Sequence, residues 1–167
     1  LNTLAVFLDD KLNDYVKKRD YPSIEVNSTL SPHIHFGEIS PWQIWHAVNQ
    51  YTQHHQVDHQ AVTGFLSQLG WREFSYYLLY HFQQLPEQNF RAEFDQFQWN
   101  NPPAKLKRWQ KGLTGFPIVD AGMRELWHRG IMHNRLRMIV GSFLVKDLLI
   151  HWRHGEEWFW DCLLDAD

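Results

Sequence analysis

The chain has 167 residues, 44% of them hydrophobic and 16% aromatic, with a net charge of −3. This length suits one domain with a real core, or part of a larger one. A single cysteine, Cys162, excludes an internal disulfide framework and fits a reducing compartment; with no apolar run as long as a membrane span, a cytoplasmic protein without membrane contact is expected.

Leu4, Phe7, Leu8, Leu12, Tyr15 and Val16 fall at helical spacing and predict an opening amphipathic helix. Residues 20–39 read as loop, broken by Pro22, Pro32 and Gly37. Ser40-Pro41 supplies an N-cap followed by proline at the first helical position, launching a helix from Trp42 to about Gln53. Asp58 caps a long helix through Phe65, Leu69, Trp71, Tyr76 and Leu79 that ends near Pro86. Residues 87–103 read as irregular, with Phe90, Phe94, Phe97 and Trp99 able to dock them on the core. Residues 104–111 form a short basic helix stopped by Gly112. Thr114-Gly115-Phe116-Pro117 opens another, which runs to about His128 and stops at Gly130. A helix over 132–152 and a last one from about Glu156 complete an all-α fold, since no segment alternates as a strand does. Leu1 in place of a starting methionine, and an apolar segment running into Asp167, suggest a domain excised from a longer chain.

The 132–152 helix is the most informative segment. Met132, Asn134, Arg135, Arg137 and Met138 crowd its first turns, while Phe143, Leu144, Leu148 and Leu149 read as core. An amide, two guanidiniums and two thioethers together suit a large, polar, aromatic ligand better than solvent. Around this segment, residues 101–140 carry eight basic side chains (Lys105, Lys107, Arg108, Lys111, Arg124, Arg129, Arg135, Arg137) against Asp120 and Glu125. A basic stripe facing a polyanion and a set of solvated helix faces explain this equally well.

Other candidates are weaker. His33 with His35, and His55 with His59 on one helical face, invite a metal, but neither pair has a third ligand near it in sequence, and solvated histidines are the better reading. Cys162 lies among Trp158, Phe159, Trp160, Leu163 and Leu164, where burial would quieten the thiol. Gln68, Arg72 and Ser75 share a helix face beside Trp71, so an indole, an amide and a guanidinium could stack, read and anchor a base held outside a duplex. Taken alone, that group reads more simply as a boundary tryptophan with Arg72 paired to a carboxylate.

Taken in order, the motifs resemble one family. Asn27-Ser28-Thr29-Leu30-Ser31-Pro32, Phe36-Gly37-Glu38-Ile39-Ser40-Pro41, Trp71-Arg72-Glu73-Phe74, the run from Thr114 to Arg124, Met132 to Met138, and Ser142 to Leu149 resemble the helical domain of the photolyase/cryptochrome family across essentially the whole chain. The likeness is greatest to its members that repair cyclobutane pyrimidine dimers. It implies an all-helical FAD-binding domain, incomplete at its C-terminus and lacking an N-terminal α/β domain that carries an antenna chromophore. It also implies damaged DNA as partner, with a bacterial-type, nucleoid-associated location through that DNA.

The resemblance implies residue roles as well. Tyr15, Asn27, Ser28, Thr29, Leu30 and Ser31 would hold FAD, as would Arg137, Asp165, Ala166 and Asp167, with Asn134 near the cofactor. Trp71, Met138, Gln68 and Asn134 would meet the lesion, Arg19, Arg72 and Arg135 the DNA backbone, and Trp99 and Trp152 would relay electrons. Asn27 stands where threonine is common, and Gln68 where dimer-repairing members have glutamate. Glutamine there is typical of (6-4) lyases and animal cryptochromes, whereas Asn134 and Met138 stand where those relatives have histidines. The fragment alone is expected to bind FAD poorly, to be inactive in repair, and to be prone to self-association.

Overall fold

The computed structural model describes residues 2–167, which form helices and turns and, among the described residues, no strand. They fall into two compact units. The first comprises the N-terminal segment through Arg19, Val26–Leu30 and Ile39–Gln98; the second comprises Asp20–Glu25, Ser31–Glu38 and Trp99–Asp167.

In the first unit the expected opening helix is interrupted. Helix α1 (Asn2–Asp10) gives way to a 3-10 turn at Leu12–Asp14 and then to the single turn of α2 (Tyr15–Lys18). The break has a tertiary use, because the Asn13 carboxamide accepts a hydrogen bond from the Asp58 amide at 2.9 Å. Leu4, Phe7, Leu8, Leu12 and Tyr15 are buried as their spacing predicts, whereas Val16 is exposed. Phe7, Tyr15 and Phe65 form an aromatic cluster with ring centroids 4.5–5.8 Å apart. The loop expected over 20–39 contains one short helix, α3 (Ser31–His35), whose residues belong to the second unit.

Helix α4 (Pro41–His54) starts where Ser40 and Pro41 predict. Ser40 and Gln43 cap each other reciprocally, which satisfies two backbone donors at the helix start. Asp58 caps α5 (His59–His81) by accepting from the Gln60 amide. The helix stops at His81, five residues short of Pro86, and residues 82–88 coil into successive turns instead. His55 lies beyond the end of α4 and stacks on Tyr51, while His59 opens α5, so the two do not share the helical face expected of them. Phe90, Phe94 and Phe97, around a 3-10 turn at Ala92–Gln96, are exposed rather than docked on the core.

The second unit is built on α6 (Pro103–Gln110), α7 (Pro117–Arg129), α8 (Asn134–Ser142) and α9 (Trp152–Cys162). Its core contains Trp109, Val119, Met123, Leu126, Leu136, Val140, Leu144 and Ile150. Trp109 is fully buried, and its indole N–H donates to the Val140 carbonyl at 3.0 Å, giving a large apolar side chain the polar partner it requires. Gly130 ends α7 in the left-handed conformation its position predicts.

The long helix expected over 132–152 is three pieces. After α8 the chain widens into a π-helical turn at Phe143–Asp147 and breaks at Leu149, which adopts a left-handed φ of 54°. The Asn100 amide donates to the Leu149 carbonyl, and the Asn101 side chain accepts from the His151 amide. These tertiary bonds hold a bend that no glycine or proline announces. Leu149 is therefore exposed rather than core, and Ile150 takes the buried position. The last helix begins at Trp152, four residues earlier than expected.

Candidate functional site

In the second unit the sharpest constellation surrounds the start of α8. His133 caps this helix, its ring Nδ1 accepting from the Arg135 amide at 3.1 Å. Its other ring nitrogen must then carry the hydrogen, and that buried Nε2 has no partner among the described residues. One turn on, the Arg137 Nε donates to the Met132 carbonyl at 2.9 Å. Its Nη2 donates to both oxygens of Asp165, at 3.0 and 2.8 Å. The Asp165 side chain is only 5% exposed.

The tail that carries Asp165 is docked by the backbone, since the Leu164 amide donates to the Gly130 carbonyl at 2.8 Å. Gly130 is required there twice over. Its φ is +64°, and a Cβ would lie 2.7 Å from the Leu164 side chain. Asn134 and Met138 are exposed on the same helix, Met138 at 56%. Arg135 is exposed and forms a bidentate pair with Asp20, which raises the pKa of the guanidinium first through their hydrogen bonds and then through charge. Ala166 is half-buried and Asp167 exposed.

The basic stripe resolves into separate tasks. Arg108 donates to the Leu113 carbonyl, Arg124 to the Gly112 carbonyl, and Arg129 pairs with Glu125. With Arg135 and Arg137 also engaged, five of the eight cations bind acceptors within the unit; Lys105, Lys107 and Lys111 are exposed on and just beyond α6. Asp120 is buried and accepts from the Thr114 amide and hydroxyl and from the Gly115 amide. Burial pulls its pKa upward, but these donors together with Arg124 outweigh that and leave it lowered.

Trp99 and Trp152 are half-buried in the same unit, with the His151 ring against both. Burial, then the charge of Asp161, raises the Cys162 thiol pKa, which fits an unreactive structural cysteine.

In the first unit, Arg19 lies over the Tyr15 ring at 5.2 Å and donates to the Gln68 carboxamide oxygen at 3.1 Å, while the Gln68 amide donates to the Gly64 carbonyl. Trp71, one turn along α5, is 63% exposed. Arg72 turns to Glu73 and Tyr76, and the Ser75 hydroxyl donates to the Trp71 carbonyl, so Gln68, Arg72 and Ser75 each bond to different partners despite their shared face. Tyr15 is buried, and its ring packs in the aromatic cluster. At the candidate loop, Asn27 and Ser28 are half-buried, Thr29 is exposed with a left-handed φ of 53°, and Leu30 is buried. The Ser28 hydroxyl accepts from the Leu30 amide. Ser31 is exposed at the start of α3.

Residues 65–167 match the family model described as the FAD binding domain of DNA photolyase. The chain belongs to this photolyase FAD-binding family. It is 49% identical to a deoxyribodipyrimidine photo-lyase of Agrobacterium fabrum over 100% of this chain and 34% of that protein. It is 40% identical to cryptochrome-2 of Arabidopsis thaliana over 98% of this chain and 28% of that one. A bacterial class III photolyase structure from Agrobacterium tumefaciens superimposes with a TM-score of 0.96 at 49% identity, covering 100% of this chain and 34% of that chain. The chain thus spans about a third of the length of the photolyases it matches.

The residues present fit a flavin dinucleotide. A buried N–H without a partner at His133, next to a half-buried Arg137–Asp165 pair, is the arrangement expected where a polar ring completes the hydrogen bonding. His133, Asp20 and His151 were not singled out by motif reasoning. A signal was available for the two histidines: His133-Asn134-Arg135 and His151-Trp152-Arg153 repeat one capping pattern.

Proposed function

We propose that these residues are part of the helical FAD-binding domain of a light-driven DNA repair enzyme that splits cyclobutane pyrimidine dimers. Because they span about a third of the relatives' length, the activity belongs to a protein of that length; the 167 residues alone should hold FAD poorly and repair nothing. The observation that carries the reading is on α5. A tryptophan 63% exposed stands one turn from an amide already oriented by a guanidinium, which is a stacking surface beside a polar reader. A flipped pyrimidine pair needs both.

When bound, reduced FAD would supply, under light, the single electron that dimer cleavage needs. The protein's part is to bind, orient and exclude water. Arg137, fixed by Asp165 and the Met132 carbonyl, would help hold the flavin, and its charge would favour a reduced, negatively charged ring. Asn134, Ala166 and Asp167 line the same cofactor; Tyr15, Asn27, Ser28, Thr29, Leu30 and Ser31 hold its remainder. Trp71 and Met138 present apolar surface to the lesion, while Gln68 and Asn134 read its polar edges. Arg19 and Arg72 serve the DNA backbone, and Arg135 exchanges Asp20 for a phosphate. Trp99 and Trp152 pass electrons inward to regenerate the reduced cofactor. No acid–base triad is needed.

Gln68 supports a second reading, a (6-4) lyase or a flavin photosensor, as does the similarity to a plant cryptochrome. The deciding experiment exposes the flavin-loaded, full-length protein to blue light with oligonucleotides carrying either lesion. Repair of the cyclobutane dimer supports the proposal, repair of the (6-4) product alone replaces it, and repair of neither favours a sensor. Trp71→Ala should weaken dimer binding by about 1–3 kcal/mol, the usual loss of a base–aromatic stack; unchanged binding removes Trp71 from the site.

A further inference from the structure

Between the two tryptophans assigned to the relay lies an imidazole. The His151 ring centroid is 5.0 Å from Trp99, edge to face, and 5.6 Å from Trp152, nearly parallel. Three anchors fix it. The His151 amide donates to the Asn101 side chain at 2.8 Å, Nδ1 accepts from the Arg153 amide at 3.2 Å, and the His151 carbonyl accepts from the His154 amide at 3.1 Å. Nδ1 can cap α9 only while it is unprotonated, so the geometry requires the neutral ring with its hydrogen on Nε2.

A second observation gives this stack a direction. The Arg153 guanidinium lies 4.8 Å over the Trp152 ring. A cation in that position stabilises the neutral indole and opposes a positive charge on it. A hole on Trp152 is thereby pushed toward Trp99, away from the guanidinium.

We propose that His151 is a positioning residue that couples Trp99 to Trp152 for single-electron passage and switches that passage off when it takes up a proton. This rests on the relay assigned to Trp99 and Trp152 above. In the step, one electron leaves Trp99 for a Trp152 radical cation; Trp152 returns to neutral, Trp99 carries the hole, and no bond forms or breaks. A light-excited oxidised flavin, when bound, would take the electron from Trp152, and an added thiol would refill Trp99. A neutral imidazole fills the space between the indoles with polarisable atoms and adds no charge. An imidazolium lies about as close to Trp99 as to Trp152, so it raises the cost of a hole on either ring and opposes its entry into the pair. It also loses the cap that holds the ring in place.

The charged neighbours favour the neutral form at ordinary pH. Burial first, then the charges of Arg153 and His154, lower the His151 pKa from its usual value. His154 is itself paired with Glu157 at 3.7 Å. From residues 99–101 the Trp99 indole packs against the ring and the Asn101 side chain accepts from the His151 backbone amide; neither group titrates. The switch therefore operates below about pH 6.5, the ordinary imidazole value.

The test uses two readouts. In the full-length, flavin-loaded protein, flavin photoreduction by thiol should slow at least about threefold between pH 7 and pH 5 as the imidazole charges. His151→Phe, which keeps a ring but cannot take up a proton, should give a flat profile. His151→Asn keeps a capping oxygen but loses the ring, and should be slower than wild type at pH 7. Without flavin, indole emission of the purified chain should fall below pH 6.5 in the wild type, with that component missing in His151→Phe. Identical fluorescence titrations, or a wild-type photoreduction rate that does not change with pH while Trp99→Phe abolishes it, would overturn the proposal and leave the relay standing. If Trp99→Phe photoreduces normally, the relay falls and the proposal with it.

Discussion

The pairing of Arg137 with Asp165 can be measured by a double-mutant cycle. Asp165 is nearly inaccessible, whereas the Arg137 side chain is 28% exposed, so water offsets part of the loss when its partner is removed. Breaking a fully buried pair costs about 3–5 kcal/mol, and an exposed pair contributes about 0–1 kcal/mol. Between these limits, Asp165→Ala should cost about 2 kcal/mol. In a domain of this size that lowers Tm by roughly 4–8 °C. Arg137→Met keeps the apolar stem and removes the fork, and the cycle should return a coupling of about 1–2 kcal/mol. Urea and thermal unfolding followed by circular dichroism give the energies. Hydrogen exchange at the Leu164 amide reports whether the tail stays docked on Gly130. A coupling below about 0.3 kcal/mol, the scale on which independent sites add, would show that the pair does not secure the tail.

Asp120→Asn should destabilise by about 2 kcal/mol, because its new amide N–H faces a donor already in place. The wild-type contribution is fully present above about pH 4 and is lost as pH falls through the lowered Asp120 value, so the difference between wild type and variant should shrink in acid. Acid-range urea melts of both proteins check this. Gly130→Ala should cost at least about 1 kcal/mol through its left-handed φ alone, and more where its Cβ displaces Leu164, read as lower Tm and faster exchange in the tail. Gln68→Glu should place a carboxylate on Arg19 and tighten cyclobutane-dimer binding in the full-length protein relative to (6-4) binding; an unchanged ratio in a filter-binding titration would remove residue 68 from lesion choice.

What could be read in the chain depended on whether a feature is local. Ser40 with Gln43, Asp58 and Gly130 mark helix ends through their own backbone chemistry, and each does so in the structure. The breaks at Lys11 and Leu149 come from distant partners, Asp58 on Asn13 and Asn100 on Leu149, and no residue type at the break announces them. The same holds at the site. Arg137 and Asp165 stand 28 residues apart, and only the family resemblance links them in sequence. The resemblance points Arg135 toward DNA, while its partner Asp20, more than a hundred residues away, leaves no trace in sequence. The capping histidines could have been found, because two His-x-Arg triplets ahead of helices repeat a local pattern.

The π-helical turn at Phe143–Asp147 can also be viewed as a matter of phase. A widened turn carries one residue more than an α-helical turn would, so everything after it is rotated relative to α8. Deleting a single residue there would restore ordinary winding and turn the downstream chain by about 100°. Leu149 would swing toward the interior and Ile150 out of it, and the indole of Trp152 would leave its place beside His151. Length in this stretch is therefore under tighter constraint than composition: substitutions among apolar residues should be absorbed, while a one-residue deletion should disconnect the ring stack from the helix that holds Arg137.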